Sequence, residues 1–155
     1  MNPKINNLFK FVLIVVCTQL QFAFADAPDW QDNPGGYVHA ATIAGVAILN
    51  DGVQLGDCNE YDEDGRCVDP NDIFAAFDAD GNVRGVGQEL SPPFGPYAGT
   101  PVFEMQLRSN SAGDLLHFQY YDASSDEVLD ISETYEFVIN DIIGDVVTPW
   151  ELNIQ

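Results

Sequence analysis

The residues with the most chemistry in them lie between Gly56 and Asp72. In this run, GDCNEYDEDGRCVDPND, seven Asp or Glu, two Asn and two Cys fall within seventeen residues. Asp57, Asn59, Glu60, Asp62, Asp64, Asp69 and Asp72 are hard oxygen donors, a set that suits calcium rather than a softer transition metal. Carboxylates this close in sequence repel one another, and one divalent cation would relieve much of that repulsion. The affinity to expect is weak, roughly 0.1–1 mM, as in extracellular calcium modules. The competing reading is an exposed acidic turn, held by one disulfide and binding nothing tightly. On the residues alone both stay open.

Asp62-x-Asp64-Gly65 spells part of an EF-hand loop, in which the Gly makes the sharp turn. With Gly65 in sixth place, however, the first ligand is Glu60 rather than Asp. The twelfth is Asn71, where a bidentate Glu is needed. An irregular calcium loop fits these residues better than an EF-hand. Asp78-Ala79-Asp80-Gly81 repeats the spelling with Ala76 in the first ligand's slot, and it reads as a plain turn. Cys58 and Cys67 are expected to form a disulfide. Closing a loop of about ten residues contributes about 2.5–3 kcal/mol in the chain-entropy model. A two-cysteine zinc site is the alternative, but His39 and His117, the only histidines, are remote in sequence.

Other candidates are sparser. Trp30, Tyr61, Phe94 and Tyr97 lie on predicted loops or on the N-terminal lead, where they would form a sugar-stacking or protein-binding platform or fold back over the core. Arg84, one of three arginines in the chain, follows a predicted hairpin and is expected to pair with carboxylates as an internal brace. No Gly-rich phosphate loop, HExxH or GxSxG is spelled, and neither histidine has a Ser or Cys partner in view. A carboxylate pair for hydrolysis needs only two acids. Among 25 acids such a pair arises by chance, so the expectation is a protein that is not an enzyme.

Strands must position all of this, because period-2 patterns dominate the chain. Phe103, Met105 and Leu107 alternate with Glu104, Gln106 and Arg108. Leu116, Phe118 and Tyr120 alternate with His117, Gln119 and Tyr121, and Trp150, Leu152 and Ile154 with Glu151, Asn153 and Gln155. Tyr135, Phe137 and Ile139 read as one face of a further strand. Near the start, Val38, Ala40, Thr42, Ala44, Val46 and Ile48 read as one face of a long strand. Asn50-Asp51-Gly52 is a strong hairpin signal. Asp78–Asn82 and Ser109–Asp114 read as further turns, and Ser91–Gly99 as a Pro/Gly loop. About seven or eight short strands at regular spacing predict an all-β, antiparallel sandwich, Ig-like or jelly-roll-like.

Composition sets the compartment and the excluded partners. Lys4 and Lys10, the apolar run Phe11–Cys17 and Ala23-Phe24-Ala25 have the order of a signal peptide, so residues 1–25 are expected to be removed on export. Residues 26–36 then form a lead and 37–155 a single sandwich domain. Losing both lysines leaves three arginines against 25 carboxylates. Such a surface repels nucleic acid and anionic lipid. No later stretch reaches the ~20 apolar residues of a membrane span. At 46% hydrophobic residues and 12% aromatic, the chain is nonetheless too apolar for an acidic disordered tail.

Three stretches taken together carry a resemblance: Asp72-Ile73-Phe74-Ala75-Ala76-Phe77 with Val83-Arg84-Gly85-Val86; Leu115-Leu116-His117-Phe118-Gln119-Tyr120-Tyr121-Asp122-Ala123; and Gly144 leading to Pro149-Trp150-Glu151-Leu152. In this order they resemble a poorly characterised β-sandwich module of secreted and surface proteins of marine and gliding bacteria, often found there as repeats. The resemblance runs from about Tyr37 onward and implies structure rather than catalysis. The chain is expected to depart from it by holding a single copy with no sorting domain after it. The expectation is a secreted, acidic, non-catalytic binding or adhesion module, stabilised by calcium, for extracellular glycan or protein matrix. A mineral-associated acidic protein and a carboxylate-dependent hydrolase are the alternatives.

Overall fold

The computed structural model describes residues 27–155; the expected signal peptide lies outside them. After a short 3-10 turn at Pro34–Gly36 come ten strands: β1 His39–Asn50, β2 Val53–Gln54, β3 Ile73–Phe77, β4 Val83–Val86 and β5 Gln88–Leu90, then β6 Val102–Ser109, β7 Leu115–Asp122, β8 Glu127–Glu136, β9 Ile142–Ile143 and β10 Trp150–Asn153. They form two sheets packed face to face. One has the order β10-β1-β6-β5, with β2 and β9 also paired to β1, and the other is β4-β3-β7-β8. The protein is an all-β sandwich. Its strand number exceeds the expected seven or eight because β2, β5 and β9 are only two or three residues long, too short to show a period. Pairing is antiparallel except that β9 and β10 run parallel to β1.

Alternation explains the core directly. Phe103, Met105 and Leu107 of β6 face Leu116, Phe118 and Tyr120 of β7, and all six are buried. Each such side chain contributes about 1.5–3 kcal/mol through burial. Phe74 of β3 sits between the layers, 5.7 Å from both the Phe103 and the Phe118 ring centroids.

Two expectations need correction. In β1 the face assigned from Val38 to Ile48 holds only for Val46 and Ile48. Ala41 and Ile43 point inward in the first half, while Val38 is 76% exposed. A register shift between Ile43 and Val46 reverses the phase, since one extra residue turns every later side chain to the other face. Gly45 sits in this bulge, where a Cβ would overlap the Asp145 carbonyl. At the other correction, β8 stops at Glu136. Phe137 is still buried, but Ile139 lies beyond the strand and is exposed.

The Asn50-Asp51-Gly52 signal is a tight hairpin, with Asp51 at φ 50° and Gly52 at φ 78°, the paired positive angles of a type I′ turn. The lead lies against the sandwich. Trp30 packs edge-on against Phe77 at 5.1 Å, and the Arg108 guanidinium grips Asp32 at 2.8 Å.

Candidate functional site

The acidic run is itself a small hairpin. Asp57–Glu60 and Val68–Asn71 run antiparallel, with Asn59 N–H donating to the Asp69 carbonyl (3.0 Å), Val68 N–H to that of Glu60 (2.9 Å) and Asn71 N–H to that of Asp57 (2.9 Å). Cys58 and Cys67 are bonded across it, their Cα atoms 5.9 Å apart. The tip turns at Gly65, φ +76°, and Asp62 caps it by accepting the N–H groups of Asp64 and Arg66, each at 2.9 Å. The Asn71 amide donates to Asp57 and Asn59, and the Asn59 amide to Asp69 and Asn71. Several of the expected calcium donors are thus occupied by the hairpin's own N–H groups. Glu60 and Asp64 stand exposed. Asp72 stays joined to the hairpin by its N–H to the Asp57 carbonyl, but its carboxyl is buried and bonds to Tyr120 and Ala123 instead. Among the described residues no three His, Cys, Asp or Glu side chains converge as a metal site would require.

The tip docks on the start of the Pro/Gly loop. Ser91 N–H donates to the Gly65 carbonyl at 2.8 Å, and Arg66 pairs with Leu90 as an isolated bridge. Arg66 also reaches Glu104 at 2.6 Å, an exposed pair contributing under about 1 kcal/mol. Between tip and loop lies a cleft of about 240 Å³, lined by Tyr61, Asp62, Glu63, Asp64, Ser91 and Pro93. Phe94, the next residue, is 62% exposed.

The four candidate aromatics do not form one platform. Tyr61 lines this cleft and Phe94 is exposed next to Pro93 in sequence, whereas Tyr97 donates to Glu151 at 3.2 Å. Trp30 lines a different cavity, beside Cys67, Val68, Ile73, Val86 and Phe103. No ring contact joins any two of the four among the described residues.

Under the hairpin is a group of buried acids that the sequence did not announce. Asp72 and Glu89 are 7% and 2% exposed. The Tyr120 hydroxyl donates to Asp72 Oδ2, and Ala123 N–H donates to Oδ1 at 2.9 Å. The Tyr61 hydroxyl donates to Glu89 Oε1, the Asp57 backbone N–H also bonds this carboxyl, and Oε2 is buried away from solvent. Burial pushes both carboxyls above the ordinary range. Bonds from the tyrosines and from the Ala123 and Asp57 backbone N–H groups offset part of this, while Asp122 and Asp57 repel Asp72, and Asp72 and Asp57 repel Glu89. Burial and the same carboxylates raise both tyrosine hydroxyls. Asp72 and Glu89 line one cavity, the setting a two-acid hydrolase needs. Yet both Asp72 oxygens are engaged and Glu89 is shut from solvent, so neither offers an open base. Glu89 escaped sequence reasoning because a three-residue strand shows no period against which an inward acid stands out.

Arg84 occupies the opposite end of β3. Its guanidinium donates to Asp78 at 2.9 Å and to the Arg108 carbonyl and Ser109 Oγ, both at 3.3 Å, and lies 4.5 Å from the Tyr37 ring centre. These partners leave little of the group for an anionic ligand. Burial tends to raise Asp78, but bonds from the Asn82 side chain and backbone, from Arg84 and from Asp80 N–H outweigh it and hold the carboxyl at about 2. His117 stacks on Phe77 at 5.7 Å.

Comparison with known protein families, curated proteins and solved structures yields no match. The arrangement itself defines a class: a β-sandwich bearing a disulfide-closed acidic hairpin, with a cleft at the hairpin tip.

Proposed function

We propose that the chain is a secreted, acidic, non-catalytic binding or adhesion module that takes extracellular glycan or protein matrix in the cleft at the hairpin tip. The observation that carries this reading is the cleft itself, which Tyr61 and Pro93 line together with three consecutive acids. Aromatic faces stack on apolar sugar faces, and carboxylates accept hydroxyl protons. Phe94, which follows Pro93 in sequence and is 62% exposed, belongs to the proposed binding surface. The disulfide suits an oxidising compartment, in keeping with export of the mature chain and with the resemblance to modules of bacterial surface proteins. Calcium belongs to the proposal as a weak stabiliser, acting where exposed carboxylates crowd the hairpin.

A pull-down on polysaccharide and extracellular-matrix resins tests the reading. Retention should fall at least tenfold when Tyr61 and Phe94 are replaced by Ala. Retention unchanged in the double variant removes the cleft from the mechanism. Adsorption to calcium carbonate that ignores both substitutions favours a mineral-associated role instead. For calcium, melting in 5 mM Ca²⁺ against chelator should differ by a few degrees, and identical curves discard the ion.

A further inference from the structure

The acidic hairpin is joined to the sandwich along β5. Cys67 N–H donates to the Glu89 carbonyl at 2.9 Å, Ser91 N–H donates to the Gly65 carbonyl at 2.8 Å, and Arg66 and Leu90 form a bridge. The near arm, Gly65 to Cys67, is thus held by backbone pairing to β5, whose own ladder partner is β6. The Gln88 amide adds a bond to the Cys67 carbonyl at 2.7 Å. The far arm, Asp57 to Tyr61, reaches β5 through a side chain instead. The Glu89 carboxyl accepts both the Tyr61 hydroxyl and the Asp57 backbone N–H.

Glu89 is 2% exposed, whereas Tyr61, at 37%, keeps part of its surface in solvent. The carboxyl is confined, since a Cβ on Gly56 would lie 3.3 Å from Glu89 Cδ. A phenol whose hydroxyl is held by a buried acceptor has lost much of its rotational freedom before any ligand arrives. The hairpin-tip cleft has its walls on two segments, Tyr61 to Gly65 on the hairpin and Ser91 and Pro93 after β5. Glu89 is bonded to the first segment and lies two residues before the second. It does not itself line the cleft. Walls ordered in advance relieve a ligand of the cost of ordering them.

We propose that Glu89 is the positioning residue of the hairpin-tip cleft: through Tyr61 and Asp57 it fixes the hairpin against the Ser91–Pro93 segment, so that the cleft stands formed before a ligand enters. Its effect on binding rests on the reading of the cleft given above. Its effect on Tyr61 does not.

Fluorine NMR of the chain carrying 3-fluorotyrosine at its six tyrosines reads Tyr61 without a ligand, its line assigned by its loss in Tyr61→Phe. Glu89→Met keeps the bulk of the side chain and removes both acceptor oxygens. It should move the Tyr61 line toward its value in the urea-unfolded chain, whereas Glu89→Gln, which keeps one acceptor oxygen, should leave it in place. On the polysaccharide and matrix resins, Glu89→Met should lower retention about threefold or more, and Glu89→Gln should retain as the unmodified chain does. In a Tyr61→Ala chain, Glu89→Met should change retention by less than about 1.5-fold, because both substitutions break one coupled unit. The proposal is overturned by a Tyr61 line that stays in place in Glu89→Met, by one that moves as far in Glu89→Gln, or by retention losses that multiply independently of Tyr61, the mark of a general structural role. If the unmodified chain is retained on neither resin, the reading of the cleft fails and the fluorine line alone decides the positioning. Should Glu89→Met fail to fold, Glu89→Asp, one methylene shorter, is read in its place with the same outcomes.

Discussion

The two ends of β3 solve the same problem in opposite ways. Each is flanked by a buried aspartate, Asp72 before Ile73 and Asp78 after Phe77. Asp78 has an arginine, an amide side chain and backbone N–H groups directed at it, and its carboxyl stays ionised down to about pH 2. Asp72 has a tyrosine hydroxyl and one backbone N–H, with Glu89 nearby and no arginine, and its carboxyl is pushed upward. In a chain with three arginines, Arg84 is placed beside Asp78 and Arg66 reaches the exposed Glu104, which leaves the buried Asp72 and Glu89 to neutral donors. The difference teaches that scarce cations go where a charge is committed, and neutral donors go where a proton can still be held.

The largest test converts the first end into a cation-free one. Arg84→Met strands Asp78 and should destabilise by about 3 kcal/mol, read as a lower urea midpoint at neutral pH. At the other end, replacing both Cys58 and Cys67 by Ser should lower stability by about 2.5 kcal/mol and leave the Arg84 end intact. Tyr120→Phe removes one donor from Asp72 and should cost about 1.5 kcal/mol at neutral pH, with less loss in acid, where the carboxyl carries its own proton.

The smallest effect is the most specific. Asp78 is held below its unfolded value, so its stabilisation is present above about pH 4 and is lost as pH falls through about 2. Asp72 and Glu89 are held above theirs, so their contribution is full below their unfolded values and is lost as pH rises through the folded ones. Urea midpoints measured against pH should therefore peak in mild acid. Glu89→Gln should flatten the alkaline side of that peak and leave the acid side unchanged. A profile whose acid limb moves instead would show the two ends to be coupled.

Much of the fold is legible in the residues. Alternation at Phe103–Leu107 and Leu116–Tyr120 places six core side chains, and Asp51-Gly52 marks its turn, because a half-buried strand and a positive φ each leave a local trace. The phase of β1 does not, because the bulge at Gly45 is set by the Asp145 backbone a hundred residues away. The first half of β8 is hidden for a different reason. In Glu127-Val128-Leu129-Asp130-Ile131, two adjacent apolar residues blur the period, although Ile131 alone is fully inside. The disulfide is legible from spacing and composition. The assembly of Glu89, Tyr61, Asp72 and Tyr120 is not, since four residues from separate strands and a loop meet only through tertiary packing.

One feature of the sheet bears on how the molecule comes into being. β10 lies parallel to β1, Val46 against Trp150 and Leu49 against Asn153, so the strand at the middle of the sheet keeps a bare flank until Asn153 has left the ribosome. Partners this distant in sequence meet slowly, because a long loop must close before any contact rewards it. During synthesis the nascent chain therefore carries an open hydrogen-bonding edge, and its own dense negative charge is what holds neighbouring copies apart until that edge is covered.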